Sequence, residues 1–121
     1  MQRFFVSGNK QQPTVELDQS KGIFKFEGRS IVGNPVEFYS PIRDWFKEYC
    51  ANPNEKTIIE IRMDYFNSST FKELIDIFKL LKTIKEQGLQ VKWYTYDDDD
   101  IIEETEKITE ISGVEIELVM L

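Results

Sequence analysis

The chain has 121 residues, 40% of them hydrophobic and 31% charged, with a formal net charge of −7. This is ordinary globular composition, expected to form one domain over residues 1–121 that buries about two thirds of its unfolded surface, and it excludes a disordered chain. The acidic balance argues against nucleic acid and against an anionic membrane surface, because both are bound by clustered Lys and Arg.

Arg3 to Ser7 reads as a short strand and Gly8 to Gln12 as a polar connection. Thr14 to Asp18 and Ile23 to Glu27 alternate with a period of two. Gln19-Ser20-Lys21-Gly22 supplies turn residues between them, so a hairpin is expected. Gly28 to Pro35 reads as a loop. From Val36 to Cys50 the residues Phe38, Tyr39, Ile42, Trp45, Phe46 and Tyr49 recur at helical spacing. Pro41 allows two starts: at Pro41 itself with Ser40 as N-cap, or earlier, with Pro41 one turn inside a longer helix. The longer helix is preferred, because Phe38 and Tyr39 continue the same apolar stripe. Ala51-Asn52-Pro53-Asn54 ends it, and Cys50 on its apolar side reads as a small core residue.

Thr57 to about Asp64 forms the next strand, followed by a helix from about Ser69 to Gln87. Its apolar face is Phe71, Leu74, Ile75, Phe78, Leu81 and Ile84, and Gly88 stops it. Gln90 to Tyr96 is a strand. Asp97 to Asp100 leads into a helix carrying Ile101, Ile102, Thr105, Ile108 and Ile111. Ser112-Gly113 breaks that helix, and Val114 to Leu121 closes as a strand. The pattern is an α/β fold: an N-terminal hairpin, then alternating helices and strands, giving a mixed, mainly parallel sheet with helices packed on it.

The chain contains no histidine and one cysteine. It therefore lacks the commonest general base near neutral pH and any His-containing or all-cysteine zinc site, and Ser-His-Asp and Cys-His nucleophile pairs are impossible. Neither GxxxxGK[ST] nor GxGxxG occurs, so no nucleotide cofactor is expected. No apolar run approaches the ~18 residues of a membrane span. The opening Met1-Gln2-Arg3-Phe4-Phe5-Val6 has too short an apolar stretch for a secretory signal, so a cytoplasmic location is expected.

The most informative segment is Asp64-Tyr65-Phe66-Asn67-Ser68-Ser69-Thr70-Phe71, between a strand and a helix. Its three consecutive hydroxyls fall where the helix begins. The ordinary reading is capping: Asn67 suits a turn, Ser68 and Ser69 suit a helix boundary, and Thr70-Phe71-Lys72-Glu73 fits the S/T-x-x-E capping box, worth about 1 kcal/mol. Three hydroxyls exceed what one cap needs, which leaves at least one to project. A phosphate placed there adds about −1.5 to −2 charges and meets the positive end of the helix dipole, so it changes the surface without unfolding the domain.

Tyr65-Phe66-Asn67-Ser68-Ser69-Thr70 with the strand before it, Val91-Lys92-Trp93-Tyr94-Thr95-Tyr96-Asp97-Asp98-Asp99-Asp100, and Asn34 to Tyr49 with its Phe38-Tyr39-Ser40-Pro41-Ile42 and Asp44-Trp45 together resemble the SiaC family of bacterial regulatory phosphoproteins. The resemblance covers about Gly22 to Leu118. It implies a fold similar to STAS domains, the anti-sigma-factor antagonists, and a hydroxyl phosphorylated by a partner protein kinase and dephosphorylated by a PP2C-type phosphatase. It further implies an effector such as a diguanylate cyclase, hence cyclic-di-GMP signalling and biofilm control, with the unphosphorylated form binding and activating. By position the phosphoacceptor is Ser68. The family commonly reads Asn-Thr-Ser-Ser here, so Ser replaces Thr and Thr replaces the last Ser, which leaves Ser69 and Thr70 as alternatives. The partner-binding face implied is Tyr65, Phe66 and Asn67 with Ser69 and Thr70 in the first turn of the helix.

Other features have ordinary readings. Asp97 to Asp100 lacks the Gly and terminal Glu of a calcium loop and reads as a solvated helix start. Trp45 and Trp93 read as core, with Trp93 an alternative contact residue. Two rival functions differ in class. One is a binding module of the same fold without a phosphoswitch. The other is a small acid–base enzyme using Asp64 and the tyrosines, which a pocket joining Asp64 to a second carboxylate would favour.

Overall fold

The computed structural model describes residues 1–121. Strands β1 (Phe4–Val6), β2 (Thr14–Asp18) and β3 (Ile23–Ser30) form an antiparallel meander. Helix α1 (Pro35–Ala51), β4 (Thr57–Phe66), α2 (Ser68–Lys82), β5 (Leu89–Thr95), α3 (Asp99–Ser112) and β6 (Glu117–Met120) follow. β3, β4, β5 and β6 pair in parallel, and the six strands lie side by side in sequence order. A sheet wound in one direction with right-handed crossovers carries all of its helices to one face.

The strand burial follows from that layering. Phe24 and Phe26 of β3, Ile59, Ile61 and Met63 of β4, and Val91 and Trp93 of β5 are buried in one continuous core with α1, α2 and α3. The intervening Lys25, Glu27 and Arg62 are exposed. Aromatic contacts knit α1 to the sheet, with Phe24 packed against both Trp45 and Tyr49.

The fold class agrees with the sequence reading, and several boundaries move. Helix α1 is the longer of the two alternatives. Asn34 is its N-cap, accepting from the Glu37 N–H at 3.2 Å, and Pro35 opens it. Pro41 sits on the exposed side of the helix, so the carbonyl that loses a partner there faces water. Helix α2 stops at Lys82 rather than Gln87. The next amides of Thr83, Ile84, Lys85 and Gln87 bond three residues back, a tighter winding that runs into Gly88 at φ 77°. In α3, Ile111 is exposed and the core position goes to Ser112, whose hydroxyl donates to the Ile108 carbonyl at 2.6 Å.

The most consequential shift lies in β3 and β4. The segment read as a loop from Gly28 continues as strand to Ser30, and β4 runs on to Phe66. Gly28 pairs with Met63 and Arg29 with Tyr65, so Asp64 is an extra residue without a partner. Such a bulge re-aims the side chains that follow it. The inward parity of Ile59, Ile61 and Met63 therefore changes: Tyr65 turns outward at 51% exposure and Phe66 turns into the core.

Candidate functional site

The bulge delivers the chain to the start of α2 at the end of the parallel sheet where the strands' carboxyl ends emerge. Open α/β sheets generally place their functional residues there. Asn67 caps the helix: its side-chain oxygen accepts the Thr70 N–H at 3.0 Å and also the Ser69 hydroxyl at 3.0 Å. The expected capping box is not formed. Thr70 is inside the first turn, and Glu73 is paired with Arg43 of α1.

With Asn67 as cap, the three hydroxyls have three fates. Ser68 is exposed and its hydroxyl makes no hydrogen bond within the protein, while Ser69 is exposed and bonded to the cap. Thr70 is fully buried. Its hydroxyl lies 2.8 Å from Ser30 Oγ and donates to the Ser30 carbonyl at 3.2 Å. As an alternative acceptor and as a contact residue, Thr70 is therefore ruled out in the folded chain, because no enzyme or partner reaches a group with no solvent-exposed surface. Phe66, another expected contact, is buried to 9% exposure and rests on Trp93. Trp93 itself is wholly enclosed and cannot line a contact surface.

Ser68 stands at the wall of a groove of about 490 Å³ between the starts of α2 and α3. Tyr65, Asn67 and Phe71 line one side. Asp98, Asp100, Glu103 and Glu104 line the other, with Asp64 nearby. Arg29 lies over the Tyr65 ring, 5.9 Å from its centroid. The one cation lining the groove, Lys107, is within 3.5 Å of Glu103 and 3.7 Å of Glu104.

The run Asp97 to Asp100 has the ordinary role assigned to it. Asp98 caps α3, accepting from the N–H groups of Asp100 and Ile101, and Asp99 and Asp100 occupy the first turn. The groove does join Asp64 to other carboxylates, as an acid–base enzyme would require. Asp64 and Asp100 are both open to water.

Two residues of the site escaped sequence reasoning, Ser30 and Tyr39. Ser30 stood in a stretch that Gly28 made look like a loop. The signal that could have found it is the parity of Phe24, Phe26, Gly28 and Ser30, which continues one face through the glycine. Tyr39 lies in an apolar stripe and carries no sequence signal that sets it apart from its neighbours. Its hydroxyl, 2.7 Å from Ser30 Oγ, shows a polar purpose that periodicity does not report. Burial pushes the Tyr39 phenol up to about 12, with the nearby Glu73 carboxylate adding to the effect.

A family model described as SiaC family regulatory phosphoprotein matches residues 6–121. An uncharacterised protein of Pseudomonas aeruginosa (strain UCBPP-PA14) is 24% identical over 96 residues, covering 78% of this chain and 76% of that one. The crystal structure of apo-SiaC from P. aeruginosa superposes with a TM-score of 0.85 at 22% identity, over 98% of each chain. SiaC of the same organism in complex with the diguanylate cyclase SiaD, of which it is described as the activator, gives 0.85 at 20% identity, over 95% of this chain and 97% of that one. At those identities the structural likeness is one of fold.

Proposed function

The chain belongs to the SiaC family of regulatory phosphoproteins, and from that premise we propose that it is a partner-switching module without catalytic activity, toggled by phosphate on Ser68. A protein kinase writes the mark and a PP2C-type phosphatase erases it. The unphosphorylated form engages an effector, with a diguanylate cyclase the leading candidate because a relative of the same fold is found bound to one.

The observation that carries the reading is the division of labour in the turn. Asn67 does the capping, Thr70 is buried, Ser69 is engaged, and Ser68 alone presents a free, exposed hydroxyl. The N–H groups of Ser68 and Ser69 precede the first intrahelical bond, from Phe71 N–H to the Asn67 carbonyl, so a phosphate on Ser68 has donors within reach. Modification leaves the fold intact and alters the surface. A partner packed over Tyr65, Asn67 and the first turn of α2 then has to bury a dianion beside a groove already lined with carboxylates, and each 1.4 kcal/mol of that cost is tenfold in affinity.

Co-expression with the cognate kinase, followed by intact-mass and fragment-ion analysis, tests the assignment. One phosphate on Ser68 is expected. Phosphate confined to Ser69, or absent altogether, overturns it. A Ser68→Asp variant that binds the effector as the unmodified chain does favours the binding module without a switch.

A further inference from the structure

Ser30, Tyr39 and Thr70 come from β3, α1 and α2, and each is completely shielded from solvent. Ser30 Oγ lies 2.7 Å from the Tyr39 hydroxyl and 2.8 Å from Thr70 Oγ1. Each hydroxyl carries one proton, so the directions follow from one another. Thr70 donates to the Ser30 carbonyl, Ser30 donates to Thr70 Oγ1, and Tyr39 donates to Ser30 Oγ. The same Ser30 carbonyl also accepts the Asn67 N–H at 3.3 Å. One residue of β3 therefore grips the turn at both ends, at Asn67 and at Thr70, and Tyr39 holds that residue from behind.

We propose that this buried clamp decides which of three adjacent hydroxyls is phosphorylated, by keeping the first turn of α2 wound so that Ser68 alone is presented. Ser30 and Tyr39 are positioning residues: neither touches the reacting atoms. The inference rests on the reading of Ser68 as acceptor and adds what selects it. In the transfer, Ser68 Oγ bonds to the terminal phosphorus of a nucleoside triphosphate held by the kinase. The bond from that phosphorus to its bridging oxygen breaks, the nucleoside diphosphate leaves, and the hydroxyl proton passes to a base on the kinase or to water.

The clamp's position argues for more than packing. Three polar groups in an apolar core are hard to justify by stability alone, since apolar groups of the same shape replace hydrogen-bonded pairs at little cost. These three meet directly beneath the turn they restrain. Without the clamp the turn frays from its start, Ser69 leaves the Asn67 side chain, and two neighbouring hydroxyls compete for the kinase.

The test uses Tyr39→Phe, which removes only the donating hydroxyl, and Ser30→Ala, each co-expressed with the kinase and mapped by fragment ions. Loss of one buried hydrogen bond shifts a local opening equilibrium by about tenfold, so the ratio of Ser69 to Ser68 phosphate is expected to rise by about that factor. Thr70→Ser, which keeps the hydroxyl, is expected to retain the wild-type pattern, whereas Thr70→Val loses it. A second arm needs no kinase: exchange of the bonded amides of Asn67, Thr70 and Phe71 in Tyr39→Phe is expected to quicken by about tenfold while β5 is unchanged.

Folded variants that keep phosphate on Ser68 alone, or unchanged exchange at Asn67, Thr70 and Phe71, overturn the clamp and leave Ser68 as the acceptor. A wild-type chain without phosphate at Ser68 overturns the functional reading and the selection mechanism together. If Ser30→Ala does not fold, the Tyr39→Phe and Thr70→Ser comparison decides.

Discussion

At the scale of single residues, the site depends on an asparagine that takes the capping role, which frees a serine from it. Asn67→Ala removes the acceptor for the Thr70 N–H and is expected to lower stability by about 1 kcal/mol, measured by urea denaturation, because an N-cap side chain contributes that much. Ser68→Ala removes an exposed hydroxyl with no partner in the protein. It is expected to leave stability within about 0.5 kcal/mol while abolishing phosphate incorporation, read by intact mass. The contrast between these neighbours separates the structural role of Asn67 from the regulatory one proposed for Ser68. It was only partly legible in sequence, where the hydroxyls and the turn were visible. Which of them caps, which is buried and which is free depends on Ser30, which lies 40 residues before Thr70 and reaches it only through the sheet.

At the scale of elements, α1 and α2 are fastened by the Arg43–Glu73 ion pair beside the clamp. The Glu73 side chain is 8% exposed and that of Arg43 is 26% exposed, so the two halves of the pair are unequal. Arg43→Ala leaves a buried carboxylate without a partner and is expected to cost about 2–3 kcal/mol in urea unfolding. Glu73→Ala costs less, because the arginine can turn to water. The bend from α2 into β5 is equally specific. Gly88 has φ 77°, and a Cβ there would collide with the Glu55 carbonyl oxygen, so Gly88→Ala is expected to destabilise by at least about 2 kcal/mol. Gly88 marks the turn into β5, as its place after an apolar stripe suggests, but it does not end α2, whose C-cap is Thr83. The early end of α2 at Lys82 was invisible in that stripe, because Ile84 stays buried although the winding has tightened.

At the scale of the whole molecule, the enclosed hydroxyl cluster gives stability a pH dependence. The folded-state Tyr39 phenol is pushed up to about 12, chiefly by burial, against about 10 for an unfolded tyrosine. Between those values the unfolded chain releases a proton that the folded chain retains. Stability is therefore complete below pH about 10 and falls as pH rises toward 12, by roughly 2–3 kcal/mol. Tyr39→Phe is expected to lose this alkaline step, seen as a flatter pH profile of the thermal midpoint than that of the parent chain. The amino-acid sequence by itself determined the fold class, the order of helices and strands, and the strand-to-helix turn with its hydroxyls, because periodicity and turn chemistry are local and each segment carries its own. Only the tertiary structure decided that β3 reaches Ser30, that the extra residue at Asp64 turns Tyr65 outward and Phe66 inward, and that Ser68 is the hydroxyl left free. Those outcomes rest on hydrogen bonds and register between segments far apart in the chain, and no local pattern records them.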